Sequence, residues 1–579
     1  MNRFIQFTGL LIGLVILFSF INPLEKESGI YQPIPLKDVV LTGELAQRVC
    51  KNMDRLEEEK YHPNNVFLTK KQSGDWPGDT EGRTMLGLVL DAQTCKREPK
   101  YLEEIVRLYP EKMNNKGYFG DLYLDSNLIS EQQLSSHGWV LRGLCEYYLW
   151  KKDPRALNMI DTILKNLAYP TIGYHKSYPI DPSQRTHTGG HSGSDAGVIG
   201  NWALSTDIGC DHIFLDGLTQ AYQIRPSEKL KTLIDEMIGR FREIDQIKIK
   251  AQTHATLTAV RSILRYYEMN GDPSLLKLAE ERFALYKNEG MTENYENYNW
   301  FGRPEWTEPC TVVDSYIAAV NLWKHTGKPD YLQEAHHIYY NGLSLEQRTN
   351  GGFGIQSCAG AKGPFIEATL QEAHWCCSMR GGEGLSRAAE YSFFTGKNDL
   401  VVPFYKSAIA NFNFDGKVLK LEESTNYPFE GNAKISILES SVSKPISFKF
   451  FAPSWMENFK VKVNGKVQAF KKDSGFAVIK MIPKKGDKID VTSSLAFKAK
   501  STFNKNSIPG YHTFRYGPLI LVRKGDMEEA LPKETKFSKV NDYLYKSKDG
   551  AVEMVPLYHL LNNEVSVDAK FKRQILFKK

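Results

Sequence analysis

Residues 254–286 read HATLTAVRSILRYYEMNGDPSLLKLAEERFALY. Apolar residues recur every three or four positions on both sides of NGDP, the spacing of a helix face, and NGDP is a turn that stops the first helix. The stretch is therefore a helical hairpin. The same plan recurs in 137–167 (HGWVLRGLCEYYLWKKDPRALNMIDTILKNL), 212–241 (HIFLDGLTQAYQIRPSEKLKTLIDEMIGRF), 310–343 (CTVVDSYIAAVNLWKHTGKPDYLQEAHHIYYNGL) and 384–409 (GLSRAAEYSFFTGKNDLVVPFYKSAI). Repeated hairpins build either a solenoid or a closed ring. Here the spacing between turns is irregular, and long Gly-rich, aromatic loops separate the units. That pattern predicts a six-hairpin-like (α/α) toroid over 40–410, with its loops bordering a central cleft.

Beyond 411 the period changes to two. KISILES, ISFKFFAPSW, FKVKVNGKV, GFAVIKM and KIDVTSS alternate apolar and polar residues and are broken by NGK and KKGDK turns, with YGPLILV as a further strand. An antiparallel β-sandwich region over 411–579 follows from this. A length of 579 residues fits such a multidomain chain. The net charge of +6 is small, and the lysines alternate along strands rather than forming a basic stripe, so no nucleic-acid partner is expected. Aromatic residues make up 12% of the chain, enough to line a sugar-binding cleft as well as cores.

The opening residues MNRFIQFTGLLIGLVILFSFINPLEKES carry one early arginine and then an apolar run of signal-peptide length. Residues 1–25 are read as a signal peptide or a signal anchor, the latter tethering the chain to a membrane. Either reading sends the rest of the protein out of the cytoplasm.

An exported chain with eight cysteines is expected to hold one or two disulfides. Cys376 and Cys377 fit that poorly, because a ring closed between neighbours strains the peptide bond. Upstream, TEPC places Glu308 two residues before Cys310, with Pro309 as a helix opener. Both groups precede amphipathic helices, whose N-termini favour anions and lower thiol pKa values. One carboxylate and three thiolates make a tetrahedral zinc site. The competing reading pairs Cys310 with Cys358 or Cys376 in a disulfide.

TEPC, WCC and the ordered C-terminal run APSW…VKVNG…GFAVIKMIPKKGDKIDV…YGPLILV together resemble the β-L-arabinofuranosidase family, glycoside hydrolase family 127 and its relatives. The resemblance spans nearly the whole mature chain. It implies a retaining exo-glycoside hydrolase acting on an oligosaccharide or polysaccharide, with Zn²⁺ held by Glu308, Cys310, Cys376 and Cys377. Cys376 would be the nucleophile. Glu296, followed by Tyr298 and Trp300, would be the acid/base, with Glu293 and Glu305 as neighbouring candidates. His137, His212 and His254 would join Tyr298 and Trp300 in binding the sugar. Where the family follows its cysteine pair with Pro-Pro-Asn, this chain has Ser378, Met379 and Arg380. Two other readings remain: a toroidal polysaccharide lyase or unsaturated-uronyl hydrolase, and a non-catalytic carbohydrate-binding protein with a structural zinc. Neither the scissile sugar nor the oligomeric state follows from the sequence.

Overall fold

The computed structural model describes residues 31–68, 70, 75–185, 193–368, 372–525, 527–558 and 571–578. The expected signal or anchor segment, 1–25, lies outside them. Among the described residues no helix is long and apolar enough to cross a membrane.

Leaving single-turn helices aside, twelve helices run α1 Glu44–Leu56, α2 Asp79–Cys95, α3 Leu102–Lys112, α4 Glu131–Lys151, α5 Pro154–Ile163, α6 Phe214–Ile224, α7 Glu228–Glu243, α8 Thr253–Asn270, α9 Pro273–Leu285, α10 Pro309–Thr326, α11 Pro329–His337 and α12 Cys377–Glu390. The even-numbered helices each pack on the next (α2 on α4, α4 on α6, α6 on α8, α8 on α10, α10 on α12), and α12 returns to α2. The ring is closed. The odd-numbered helices lie outside it, packed against the inner ones. This is an (α/α) toroid of six hairpins.

Local chemistry explains each hairpin. In the 254–286 stretch, Gly271 ends α8 at φ +70°, Pro273 opens α9, and Asp272 caps it by accepting the Ser274 N–H at 2.8 Å. Inner helices are buried nearly all round: in α4 every residue from Gln133 to Tyr147 is buried, as expected of helices enclosed on all sides. Two glycines permit a close crossing of α4 and α6. A Cβ at Gly217 of α6 would fall 2.7 Å from the Gly138 carbonyl oxygen of α4, so only glycine lets these backbones meet.

Residues 384–409 depart from the helical reading. Only Cys377–Glu390 is helical; Phe394–Thr395 and Asp399–Val402 instead form a β-hairpin across the TGKN turn. The apolar run LVV is a buried strand, which periodicity alone does not separate from a short buried helix. The helical domain thus gives way to strands before residue 400. Two sheets follow. One is six-stranded and includes Asp399–Val402, Ile446–Phe451 and Phe476–Met481; the other is seven-stranded and includes Ala408–Phe414, Lys417–Thr425, Gly431–Ser440 and Lys488–Leu495. The N-terminal strands Gln32–Pro33 and Val39–Leu41 add to these sheets. A separate ten-stranded sheet holds the strands from Phe497 onward, joined by Gln356–Ser357 and Phe365–Ala368 from the toroid's loops. One apolar core runs through toroid and sandwich together.

Candidate active site

The inner helices all present their N-terminal ends to one chamber of about 580 Å³. Asp79 and Arg83 come from the start of α2, Ser135 and Ser136 from α4, and Asp207 and Cys210 from the segment before α6. His254 comes from α8, Glu308 from the edge of α10, and Cys376 and Cys377 from the edge of α12. Trp76, Trp306 and Trp375 complete the wall. The volume falls in the range of small-molecule sites.

Glu308 is the N-cap residue of α10 and Pro309 its first residue, which brings Cys310 into the first turn; Cys376 is the N-cap of α12 and Cys377 its first residue. The ring places these two helix ends side by side. One ligand atom each from Glu308, Cys310, Cys376 and Cys377 lies within 4.8 Å of the others. The Cys376 and Cys377 sulfurs are 3.2 Å apart and those of Cys310 and Cys377 are 3.9 Å apart. A zinc tetrahedron with bonds of about 2.3 Å sets its sulfurs about 3.8 Å apart. Glu308 Oε2 is buried without a hydrogen-bond partner. A buried S₃O donor set with an orphaned carboxylate oxygen fits a divalent, thiophilic cation.

The disulfide alternative is corrected. Cys310, Cys358, Cys376 and Cys377 are all free thiols, and the bridge present joins Cys50 of α1 to Cys95 of α2.

The cluster distributes its charge unevenly. Cys376 is pulled down to about 6 by sulfur hydrogen bonds from Cys310 and Cys377, against burial, with the Arg83 guanidinium assisting. Burial pushes the Cys310 and Cys377 thiols up, and the Glu308 carboxyl is raised by burial, Cys310 and Asp207. As residues, Cys376 is half-buried, and Cys310 and Cys377 are buried. Cys376 and Cys377 both line the chamber, and Cys376 is the one whose thiol is drawn down.

Support comes from beneath. Arg83 donates to Cys310 Sγ at 3.5 Å and pairs with Asp79 at 2.9 Å. His254 bridges Glu308 Oε1 at 3.5 Å and Asp314 Oδ2 at 3.4 Å. Burial and the arginines Arg83, Arg380 and Arg261 hold it well below the usual histidine range, so it is neutral. Asp314 leads into a buried ionic network with Arg261, Arg380, Glu383, Arg142 and Asp216, drawn from five of the six inner helices. Arg380, a departure from the family's Pro-Pro-Asn, spends its charge here and not on a ligand.

Other expected site residues are placed elsewhere. Glu296 does not line the chamber: its carboxylate is buried, accepts from the Gln356 side-chain amide, and is pushed up to about 8 by burial. The carboxyls that reach the chamber besides Glu308 are Asp75, Asp79 and Asp207. Glu293 is occupied by the Phe503 and Asn504 N–H groups and Ser507, and Glu305 pairs with Arg303. His137 accepts from the Phe119 N–H at 2.9 Å, and His212 Nδ1 lies 2.6 Å from Asp211; neither lines the chamber. Tyr298 accepts from the Ala361 N–H at 3.0 Å, and Trp300 packs edge-on against Trp306 with centroids 5.4 Å apart. Of the expected sugar-contacting residues only His254 faces the cavity. The physical reason is that 293–301 folds inward as a buried loop, with Glu293 held by the 503–507 segment and Glu296 and Tyr298 by the 356–361 segment. Arg83, Asp75, Asp79, Asp207, Trp76 and Cys210 were missed by sequence reasoning. Their shared position, at or just before the N-terminus of an inner helix, was the available signal.

The fold and site define the class: an (α/α) toroid whose inner-helix N-termini ring an acidic, tryptophan-rich chamber. Residues 399–495 match the family model described as Beta-L-arabinofuranosidase, GH127 middle domain. In fold the chain is similar to a solved GH127 beta-arabinofuranosidase (TM-score 0.72, 14% identity, 95% of this chain and 98% of that one). It is also similar to a GH127 beta-L-arabinofuranosidase from Geobacillus stearothermophilus T6 (TM-score 0.68, 12% identity, 93% of this chain and 99% of that one). No curated protein matches. The chain thus carries a GH127-type middle domain over 399–495 and shares its fold with these GH127 structures.

Proposed function

We propose that the protein is an exported, retaining exo-glycosidase that uses Cys376 as nucleophile on neutral, β-L-arabinofuranoside-like glycans. The observation that carries this reading is the meeting of Glu308, Cys310, Cys376 and Cys377 at the chamber, with Cys376 the half-buried member. These four side chains would hold Zn²⁺. When bound, the ion keeps the thiols deprotonated and neutralises their charge.

The chain's own residues supply the rest. Cys376 Sγ attacks the anomeric carbon while the bond to the leaving oxygen breaks, and that oxygen takes a proton from a carboxyl group on the chamber wall. In the second half, water attacks the same carbon, its proton returns to the carboxylate, and the carbon–sulfur bond breaks to restore Cys376. Asp75 is the first candidate for this carboxyl, with Asp207 a second carboxyl on the chamber wall; Asp79 is engaged by Arg83. Burial and neighbouring Asp79 raise the Asp75 carboxyl, which favours its protonated, donating form. His254 and Arg83 position Glu308 and Cys310.

The chamber lining sets four carboxylates against one permanent cation, Arg83. That balance repels uronates and speaks against a uronyl hydrolase or lyase. A structural zinc site closes around its ion, whereas Cys376 opens to the cavity, which speaks against a non-catalytic role. The Cys50–Cys95 bridge suits the oxidising compartment that the N-terminal segment implies.

The test is an assay of the zinc-loaded protein on aryl pentofuranosides. Asp75→Asn, Asp207→Asn and Glu296→Gln are compared on good and poor leaving groups. Loss confined to poor leaving groups identifies the acid. Failure of wild type to cleave any pentofuranoside, with about one zinc bound per chain, refutes the glycosidase reading.

A further inference from the structure

Trp76 separates two hollows. Beyond the cysteine chamber lies a second cavity of about 220 Å³, lined by Trp76, Tyr123, Leu128, Gln132, Asp195 and Val198 among others. Trp76 and Gln132 line both spaces, so the cavities share a wall. The Trp76 indole is fixed there by donating from Nε1 to the Gly193 carbonyl oxygen at 2.7 Å.

The outer side is a small sheet in which Asp195–Ile199 pairs with Trp202–Ser205, itself beside Ile129–Ser130. Asp195–Ile199 is the edge strand, and Val198 on it is 58% exposed. A large aliphatic side chain in the open beside two aromatic rings, an amide and a carboxylate is the mixture that takes a sugar ring. A sugar's C–H face would pack on Tyr123, Trp76 and Val198 while its hydroxyls would meet Gln132 and Asp195. Burial and the Asp121 and Asp195 carboxylates push the Tyr123 phenol up, so it stays a neutral donor.

We propose that this second cavity is a subsite for the neutral saccharide unit on the leaving-group side of the scissile bond, with Trp76 and Gln132 as the partition between the two sugars. This rests on the glycosidase reading above. It makes the preferred substrate at least a disaccharide, with a neutral second unit.

The test uses the zinc-loaded full chain with Val198→Trp, which fills the cavity from an exposed position, and Tyr123→Ala. For each, kcat/KM is measured on a β-linked L-arabinofuranobiose and on 4-nitrophenyl β-L-arabinofuranoside. The ratio of disaccharide to aryl glycoside is expected to fall about tenfold in both variants, or about 1.4 kcal/mol. A ratio within about twofold of wild type in both overturns the subsite. Should wild type cleave neither compound, the glycosidase reading fails, and calorimetry decides the subsite separately. The disaccharide should then bind about tenfold tighter than methyl β-L-arabinofuranoside and lose that advantage in Val198→Trp. Equal binding of the two in wild type overturns it.

Discussion

Cys376 combines three properties that its neighbours share only in part: a half-buried position on the chamber wall, a pKa drawn down to about 6, and a place at the cap of α12. Cys376→Ala is expected to leave a folded protein with turnover of aryl pentofuranosides reduced by at least about 10³-fold, as removal of a nucleophile does. Circular dichroism and a turnover assay on one sample check this; retained turnover removes Cys376 from the mechanism. Glu308 plays a different part. Glu308→Gln exchanges the site's one carboxylate for a weaker neutral ligand, so zinc per chain, read by elemental analysis after dialysis, should fall well below that of wild type. An unchanged zinc content would show that the three sulfurs suffice. Glu308 and Cys310 could be found from spacing because Pro309 marks a helix start. Glu296 could not be judged that way: burial of its loop against Gln356 is a tertiary fact.

At the scale of elements, the network through Arg142, Asp216, Arg261, Asp314, Arg380 and Glu383 ties inner helices together across the ring axis. Arg261 NH1 lies 3.1 Å from Asp314 and 3.0 Å from Glu383, and Arg142 lies 2.9 Å from both Asp216 and Glu383. Removing one member leaves a buried charge uncompensated, which costs about 3–5 kcal/mol. Asp314→Ala should therefore lower the denaturant midpoint strongly, whereas Lys231→Ala, which breaks an exposed pair with Asp235, should shift it hardly at all. Equal midpoints for the two variants would mean that the network contributes nothing. The network also touches function, since Asp314 bears on His254 and His254 on Glu308. Elements themselves were legible where punctuation was strong, as at NGDP and TGKP. They were misread at 384–409, where a short apolar run satisfies strand and helix alike.

At the scale of the molecule, many buried histidines share one behaviour. Burial lowers His137 to about 4, and burial also brings His325 and His336 to about 3. A histidine with a folded pKa below its unfolded value of about 6.5 leaves stability intact above that pH and removes it progressively as pH falls. For His137 the loss runs from about 6.5 to about 4 and amounts to roughly 3 kcal/mol. Glu146 acts lower down. Burial opposes its charge, but Arg387 and Arg142 hold it at about 2, so its contribution is lost between about 4.5 and 2. Both windows have the same sign. Buried carboxyls such as Glu296, raised to about 8, act with the opposite sign over the same range. The check is therefore the difference in urea midpoint between wild type and His137→Gln, which is expected to shrink from pH 7 to pH 4. An unchanged difference would show that His137 is solvated.

The hairpin periodicity, the change of period into strands and the residue types of the thiol cluster were all carried by sequence, because each is a local pattern: a helix face, a pleat, a helix-opening proline beside a ligand. Ring closure decided the rest. The packing of α10 on α12 brings Glu308 and Cys310 to Cys376 and Cys377, and only when α12 returns to α2 does Arg83 join them and do six helix ends share a chamber. Which carboxylates reach that chamber and which are buried behind it depends on contacts between segments far apart in the chain, and no spacing encodes them.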